Sequence, residues 1–335
     1  MLSACGSASQ QASTTTAAGS PPAATQPAQS PSRIPQLVQR VQPSIVTIFA
    51  EQSDGRNGTG QGVGSGVIYR SDGIILTNDH VVASANRIEV ALSDGSRVPA
   101  RVIATDPDTD LAVLRIDRDG LPAAEFQKPL PQVGEPAVVL GSPLGFEKTV
   151  TAGIVSGLHR SIPGSASQTR ALVDLIQTDA AISPGNSGGA MVDANGRVLG
   201  ISVAYVPPQQ GAVAVGFAIP AATATRVADE LLQNGRVRHA YLGLQPAALT
   251  PEIARERHVS GGGVVMYALA PDGPAAKADI RPGDVLTAVG AQKITSVEEL
   301  FAALRRHEPG ERVAVSYVRD GETRTAQAQI TDRPS

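Results

Sequence analysis

Residues 181–193 read AISPGNSGGAMVD, and the centre of that stretch, Gly185-Asn186-Ser187-Gly188-Gly189, sets three glycines and an asparagine around one serine. Neither a strand nor a helix gains from such a run, because glycine loses more conformational freedom on ordering than any other residue. What glycine offers is access: without a Cβ, the backbone can come close to a ligand or a neighbouring strand. An ordinary glycine-rich loop has the same composition, so the meaning of Ser187 depends on which side chains elsewhere can reach it.

A serine hydroxyl is a poor nucleophile until a base takes its proton, and the base needs a third group to orient it. Of the five histidines, His80 stands apart: it lies in Thr77-Asn78-Asp79-His80-Val81-Val82, directly after the apolar strand Ile74 to Thr77, where the strand gives way to a turn. His159 adjoins Arg160 in an expected turn, His239 falls between two domains, and His258 and His307 have surface-like contexts further on. For the orienting carboxylate, Asp110 opens Asp110-Leu111-Ala112-Val113-Leu114-Arg115-Ile116 and so stands at the mouth of a buried strand. Asp79 adjoins the histidine, but neighbours on extended backbone point to opposite sides. Asp106 and Asp108 flank Pro107 as turn residues, and Asp179 remains a weaker rival. If Ser187 attacks a carbonyl, its oxygen becomes negatively charged, and backbone N–H donors must reach that oxygen with no side chain in the way. Gly185 lets the N–H groups of Gly185 and Ser187 converge there with Asn186 between them, while Gly188 and Gly189 let substrate and adjacent strands approach.

Outward from these positions, residues 34–220 read as one short strand after another: Ile45 to Phe49, Val67 to Arg70, Ile74 to Thr77, Ile88 to Leu92, Val98 to Ala104, Leu111 to Ile116 and Ala137 to Leu140. Turn dipeptides such as Asp72-Gly73, Asp94-Gly95 and Asn195-Gly196 punctuate them, an all-β sandwich or barrel signature. Pro220 to Asn234 follows with helical spacing and Gly235 as its stop signal. Beyond it, with a boundary at residues 235–240, a smaller unit holds strands near Gly263 to Leu269, Val285 to Val289, Arg312 to Val318 and Thr323 to Ile330. Its helix runs from Val297 to Arg306, with Ser296 as N-cap. The domains are therefore 34–235 and 236–332.

Residues 6–32 carry no charge, no aromatic and no Leu, Ile or Val, so residues 1–33 are expected to be a disordered tether rich in Ser, Thr, Ala, Pro and Gln. Leu2-Ser3-Ala4-Cys5 looks like a bacterial lipobox lacking the upstream basic and apolar regions of a signal peptide, which makes Cys5 a possible lipid anchor. Cys5 is the single cysteine, so no internal disulfide forms. A net charge of −3 argues against a nucleic-acid binder, and no run reaches the roughly 18 apolar residues of a bilayer span. No metal or organic cofactor is implied.

Several separated motifs together resemble the HtrA (Deg) family of trypsin-like serine proteases: Thr77 to Val82, Asp110 to Ile116, Gly141-Ser142-Pro143-Leu144-Gly145 followed by Val150 to Gly157, and Ile176 to Gly189. The similarity covers residues 34–332. It implies an all-β, chymotrypsin-like protease domain of two six-stranded β-barrels with the active site between them, followed by a smaller α+β PDZ domain. The chain order His, Asp, Ser matches the chymotrypsin arrangement. By that resemblance His80 is general base and then acid, Asp110 orients it, and Ser187 is the acylated nucleophile with Gly185, Asn186 and Ser187 as its oxyanion hole. Ala190 stands where the family commonly has proline and Ser183 where it commonly has asparagine. Glu51 to Gly60 is short beside the long regulatory loop of some members.

Tyr241-Leu242-Gly243-Leu244 resembles the carboxylate-binding loop of the family's PDZ domains, where consecutive N–H groups capture a peptide C-terminus and a strand edge accepts the peptide. The resemblance also implies a homotrimer with Ile34 to Phe49 as contact region, switching loops near Gly141 to Lys148 and His159 to Gln168, with Ser161 to Thr169 a mobile candidate, and a specificity pocket lined by Ile201 to Ala204 that suits aliphatic residues. The expected function is an extracytoplasmic, periplasmic or envelope serine endopeptidase that degrades unfolded or damaged proteins in quality control and stress response. The alternative is a chaperone-like or peptide-binding scaffold in which proteolysis is dispensable.

Overall fold

In the computed structural model, residues 34–54, 58–142, 149–162, 172–205 and 215–334 are described. The expected tether with Cys5, most of Gly141 to Lys148 and most of Ser161 to Thr169 lie outside them.

The described residues do not open with a strand. A helix, α1 (Ile34–Val41), comes first and buries Leu37 and Val41. The strands β1 (Ile45–Asp54), β2 (Gly58–Arg70), β3 (Ile74–Thr77), β4 (Arg87–Ala91), β5 (Arg97–Asp106) and β6 (Leu111–Ile116) then close an antiparallel barrel in the order β1-β2-β3-β6-β5-β4. A single helical turn, α2 (Asp79–Val82), follows β3. A second closed barrel takes β7 (Pro136–Gly141), β8 (Thr149–Ile162), β9 (Leu172–Thr178), β10 (Ala190–Val192), β11 (Val198–Tyr205) and β12 (Gly216–Pro220) in the order β10-β11-β12-β9-β8-β7.

The near-continuous apolar runs of β3, β6 and β7 follow from their position between cores. Side chains alternate across a strand, and here both faces are dry. Ile75, Ala112, Leu114 and Ile116 point into the first barrel, and Ala137 and Val139 into the second. Their neighbours Ile74, Leu76, Leu111, Val113, Val138 and Leu140 meet in a cluster between the barrels. That cluster also takes α1 and α3 (Ala221–Asn234), which contributes Ala224, Val227, Ala228 and Leu231 at helical spacing. With no tryptophan in the chain, these cores are filled by Val, Ile, Leu and Ala, which suits narrow barrels. The α3 helix stops where Gly235 takes φ 70° and its N–H caps the Leu231 carbonyl at 3.0 Å.

The last part pairs β13 (Ala240–Tyr241) with a late strand, β20, and builds a separate six-stranded sheet. Its members are β14 (Leu244–Ala248), β15 (Val264–Leu269), β16 (Val285–Val289), β17 (Gln292–Lys293), β18 (Arg312–Arg319) and β19 (Glu322–Gln329), and β20 spans Thr331–Asp332. The sheet runs β14-β15-β16-β18-β19, with β17 paired to β16. Short helices α4 (Pro251–Glu256) and α5 (Pro274–Lys277), which the sequence did not signal, precede α6 (Val297–Leu304). Ser296 caps α6 by accepting from the Glu299 N–H at 3.2 Å. Leu242, Met266, Leu286, Leu300 and Tyr317 form part of its own core.

Candidate active site

Strand β3 ends at Thr77, Asn78 is still extended, and Asp79 starts the turn of α2, so His80 leaves the barrel on a helical turn rather than on extended backbone. The reason for setting Asp79 aside therefore changes, though Asp79 still does not orient the histidine: its carboxyl bonds Thr105. Burial pushes the Asp79 pKa up, with the nearby charge of Asp110 adding to it and the Thr105 bond opposing.

Asp110 takes φ 57°, the left-handed conformation that Asp tolerates better than most residues. The Asn78 side chain donates to its carbonyl at 2.9 Å. Its carboxylate is fully buried and accepts twice from one residue: the His80 backbone N–H at 2.9 Å and the His80 ring Nδ1 at 2.7 Å. A carboxylate accepts, so Nδ1 is the donor of the ring bond and Nε2 is the ring nitrogen left outside it.

Ser187 is brought to the same seam between the barrels. The N–H of Ser65, in β2, donates to the Ser187 carbonyl at 2.8 Å, and the Thr77 hydroxyl donates to the Ser65 carbonyl at 2.7 Å. Gly188, at φ 82°, lies so close that an added Cβ would overlap both the Ser65 carbonyl oxygen and the Thr77 hydroxyl. The Ser187 loop thus packs three residues from His80 along the chain, and glycine after the serine is a steric requirement. The Ser187 hydroxyl itself donates to the Val203 carbonyl at 3.3 Å, and no hydrogen bond joins it to His80 among the described residues.

Three of the loop's amides are engaged: Asn186 N–H with the Ser183 carbonyl at 3.0 Å, Gly188 with Ser202 at 2.8 Å and Gly189 with Asn186 at 2.8 Å. The Asn186 amide is therefore no oxyanion donor, and its buried carboxamide lies against Gly141. The N–H groups of Gly185, at φ 94°, and Ser187 have no partner among the described residues. Two unused donors flanking a serine are what a developing oxyanion requires.

His159 and Asp106 are placed differently from expectation. His159 sits not in a turn but within β8, at a register irregularity, with φ 54°, and its Nδ1 bonds Asp174 at 2.5 Å. Asp106 is not an exposed turn residue: it ends β5, is buried, and binds His239 Nε2 at 2.7 Å. The turn that leads to Asp110 is gripped further. Arg305, at the end of α6, donates to the Asp108 carbonyl at 2.5 Å and the Val173 carbonyl at 3.2 Å, and Arg333 bonds the Asp108 carboxylate at 2.5 Å. Burial lowers the Arg305 pKa while Asp106 and Asp108 pull it upward. Asp106, Asp108 and His239 offer three ligand atoms within 4.8 Å of one another, a donor set that would suit a divalent cation, but guanidinium groups already supply the positive charge. Apart from the spacing Asp106-Pro107-Asp108-Thr109-Asp110, nothing in the sequence signals this cluster.

Tyr241 lies in β13, Leu242 is buried, Gly243 takes φ 74° and Leu244 opens β14. The carbonyls of Leu242 and Gly243 accept from Ala275 at 3.0 Å and Ala270 at 2.8 Å. These four residues line a cavity of about 810 Å³ with Leu300 and Leu304 of α6, and Asp108 and Thr109 form part of its wall.

A trypsin-like peptidase domain matches residues 64–201, and a PDZ domain matches residues 240–330. The serine protease PepD of Mycobacterium tuberculosis is 38% identical over 94% of this chain and 68% of its own length. The putative serine protease HhoB of Synechocystis sp. is 39% identical over 77% of this chain and 64% of its own. A probable periplasmic serine protease do/HhoA-like of Haemophilus influenzae is 37% identical over 84% and 61%. The chain thus spans a little under two thirds of the length of the first curated relatives it matches. Among solved structures, the HtrA-type protease AlgW with a decapeptide superposes with a TM-score of 0.73 at 34% identity, over 89% of this chain and 98% of that one. Sequence motifs, paired barrels and these relatives agree: the chain belongs to the HtrA/Deg family of trypsin-like serine proteases carrying a PDZ domain.

Proposed function

We propose that this chain is a serine endopeptidase of the cell envelope that degrades unfolded or damaged proteins through an acyl-enzyme. The observation that carries the reading is the buried Asp110 carboxylate holding His80 by ring and backbone at one seam with Ser187 and the unengaged amides of Gly185 and Ser187. The reaction requires the Ser187 hydroxyl to turn from Val203 to His80 Nε2, which takes its proton as the oxygen attacks the scissile carbonyl. The amides of Gly185 and Ser187 bond the resulting oxyanion. His80 returns the proton to the leaving amine, and a water molecule then repeats the sequence on the acyl-enzyme. Val203, whose carbonyl accepts from the Ser187 hydroxyl, lies in the stretch Ile201 to Ala204 of the family's pocket region, which supports an aliphatic preference at the cleavage site.

The Tyr241 to Leu244 loop is proposed to bind C-terminal or exposed hydrophobic peptide segments and to regulate the protease. The shared cavity supports this, since a peptide seated there would touch the turn that delivers Asp110. Periplasmic relatives support an extracytoplasmic location. The family also supports a homotrimer, although Leu37, Val41, Ile48 and Phe49 are turned into the chain's own core, leaving Ile34 and polar groups for a contact there.

The deciding experiment incubates purified protein and a Ser187→Ala variant with unfolded casein. Hydrolysis by the first alone is expected; equal hydrolysis by both overturns the catalytic assignment. Binding without hydrolysis by either supports the scaffold reading, which the Ser187–Val203 bond favours. Mass spectrometry of the native N-terminus tests the Cys5 anchor, and sedimentation tests the trimer.

A further inference from the structure

Ser65 lies between two glycines in β2, Gly64-Ser65-Gly66, and its side chain is fully buried. It belongs to the first barrel, yet its hydroxyl and N–H are directed at the second. Its hydroxyl donates to the Gly185 carbonyl at 2.6 Å and accepts from the Ser142 N–H, at the end of β7, at 2.8 Å. Its N–H donates to the Ser187 carbonyl at 2.8 Å. The Ser142 hydroxyl in turn pairs with the buried Thr47 hydroxyl of β1 at 2.5 Å. The series Thr47, Ser142, Ser65, joined through the Ser142 hydroxyl and its backbone N–H, therefore crosses the seam between the barrels and ends on the Ser187 loop.

We propose that Ser65 is a positioning residue for the oxyanion pocket, acting through the Gly185 and Ser187 carbonyls. The inference rests on the proposed peptidase activity. Gly185 is the weak point of the loop, because a glycine accepts either sign of φ and the adjoining peptide plane can turn over at little cost. That plane carries the Gly185 carbonyl and the Asn186 N–H, and its torsions set how the N–H groups of Gly185 and Ser187 are aimed relative to one another. The Ser65 hydroxyl holds it by the carbonyl and the Asn186–Ser183 bond holds it by the N–H. Ser65 thus fixes ψ of the two residues whose N–H groups face the oxyanion, while touching neither substrate nor reacting atoms. Its own geometry is fixed by surroundings that admit little movement: a Cβ on Gly64 would strike Val81 of α2, and one on Gly66 would strike Ile75 and Ile48.

The full chain with Ser65→Ala tests this, read by hydrolysis of a fluorogenic peptide and by inhibition with a peptide boronate, whose tetrahedral adduct puts an oxygen in the amide pocket. Loss of one oxyanion donor costs about 10²–10³ in kcat, so a fall of about 10² in kcat with KM within about threefold is expected, and boronate affinity should fall with kcat/KM. A wild-type kcat, or an unchanged boronate affinity, in a folded Ser65→Ala protein overturns the proposal. If Ser65→Ala does not fold, Ser65→Cys keeps the shape and weakens the donor; a kcat about tenfold down supports the role and an unchanged one overturns it. A wild-type protein that fails to outpace Ser187→Ala would defeat the peptidase reading instead, a result separate from either outcome at Ser65.

Discussion

Two histidine–aspartate pairs stand four residues apart on the β5–β6 connection, and both are 2.7 Å long: His80–Asp110 and His239–Asp106. Judged by the pair alone they are equivalent. The first faces the nucleophile loop, with a serine and two unengaged amides beside it. The second ties the approach to the PDZ domain onto the turn that precedes Asp110, next to Arg305 and Arg333. A third pair, His159–Asp174, is more than a third exposed on both sides, and its aspartate adjoins Val173, whose carbonyl Arg305 bonds. An imidazole held by a carboxylate is a structural fastener or a catalytic base according to what its other nitrogen meets.

The comparison breaks most sharply at Asp110. Asp110→Asn should lower kcat by about 10⁴, measured as peptide hydrolysis under conditions where a thermal melt shows the variant folded; a loss of tenfold or less would make His80–Asp110 another fastener. Gly188→Ala comes next. Its Cβ must displace the Ser65 carbonyl from a backbone already at positive φ, so a destabilisation of about 1–3 kcal/mol in urea titration is expected, together with loss of hydrolysis.

His239→Gln should act on the other side of the comparison. Removing one partner of a buried hydrogen-bonded pair costs about 1–3 kcal/mol, expected as a lower midpoint of unfolding, while basal peptide hydrolysis falls far less than in Asp110→Asn. If the two variants lose equal activity, the pairs are not functionally distinct.

The smallest effect is expected at Tyr69, whose hydroxyl donates to Asp229 of α3 at 2.8 Å. Burial, then the hydrogen bond to Asp229, raises its pKa from 10.0 to about 12. The folded state therefore favours the neutral phenol: that contribution is complete below pH 10 and disappears as pH rises from 10 to about 12. Tyr69→Phe should cost about 1 kcal/mol at neutral pH and remove the latest phenolate step from an ultraviolet titration.

The glycines around Ser187, the strand ahead of His80 and the apolar run after Asp110 were legible because each reports a local constraint. The strands of the second barrel were less so: β8 carries a histidine at positive φ and three register shifts, which blur its period of two. Asp106 looked like a turn residue because a sequence window does not contain the histidine and arginines that bury it from more than a hundred positions away.

By itself, the sequence determined the residue types of the candidate catalytic group, their order along the chain, the barrel class and the presence of a PDZ-like unit. These depend on side-chain chemistry and short-range backbone preference, which a linear pattern records. Only the tertiary structure decided that Asn186 N–H is engaged while Gly185 and Ser187 N–H are not, that Ser65 grips both of their carbonyls, and that His239, Arg305 and Arg333 meet the turn before Asp110. Hydrogen bonds across the barrel seam and charges meeting from distant segments depend on where closed strands bring the backbone, and no window of sequence contains both partners.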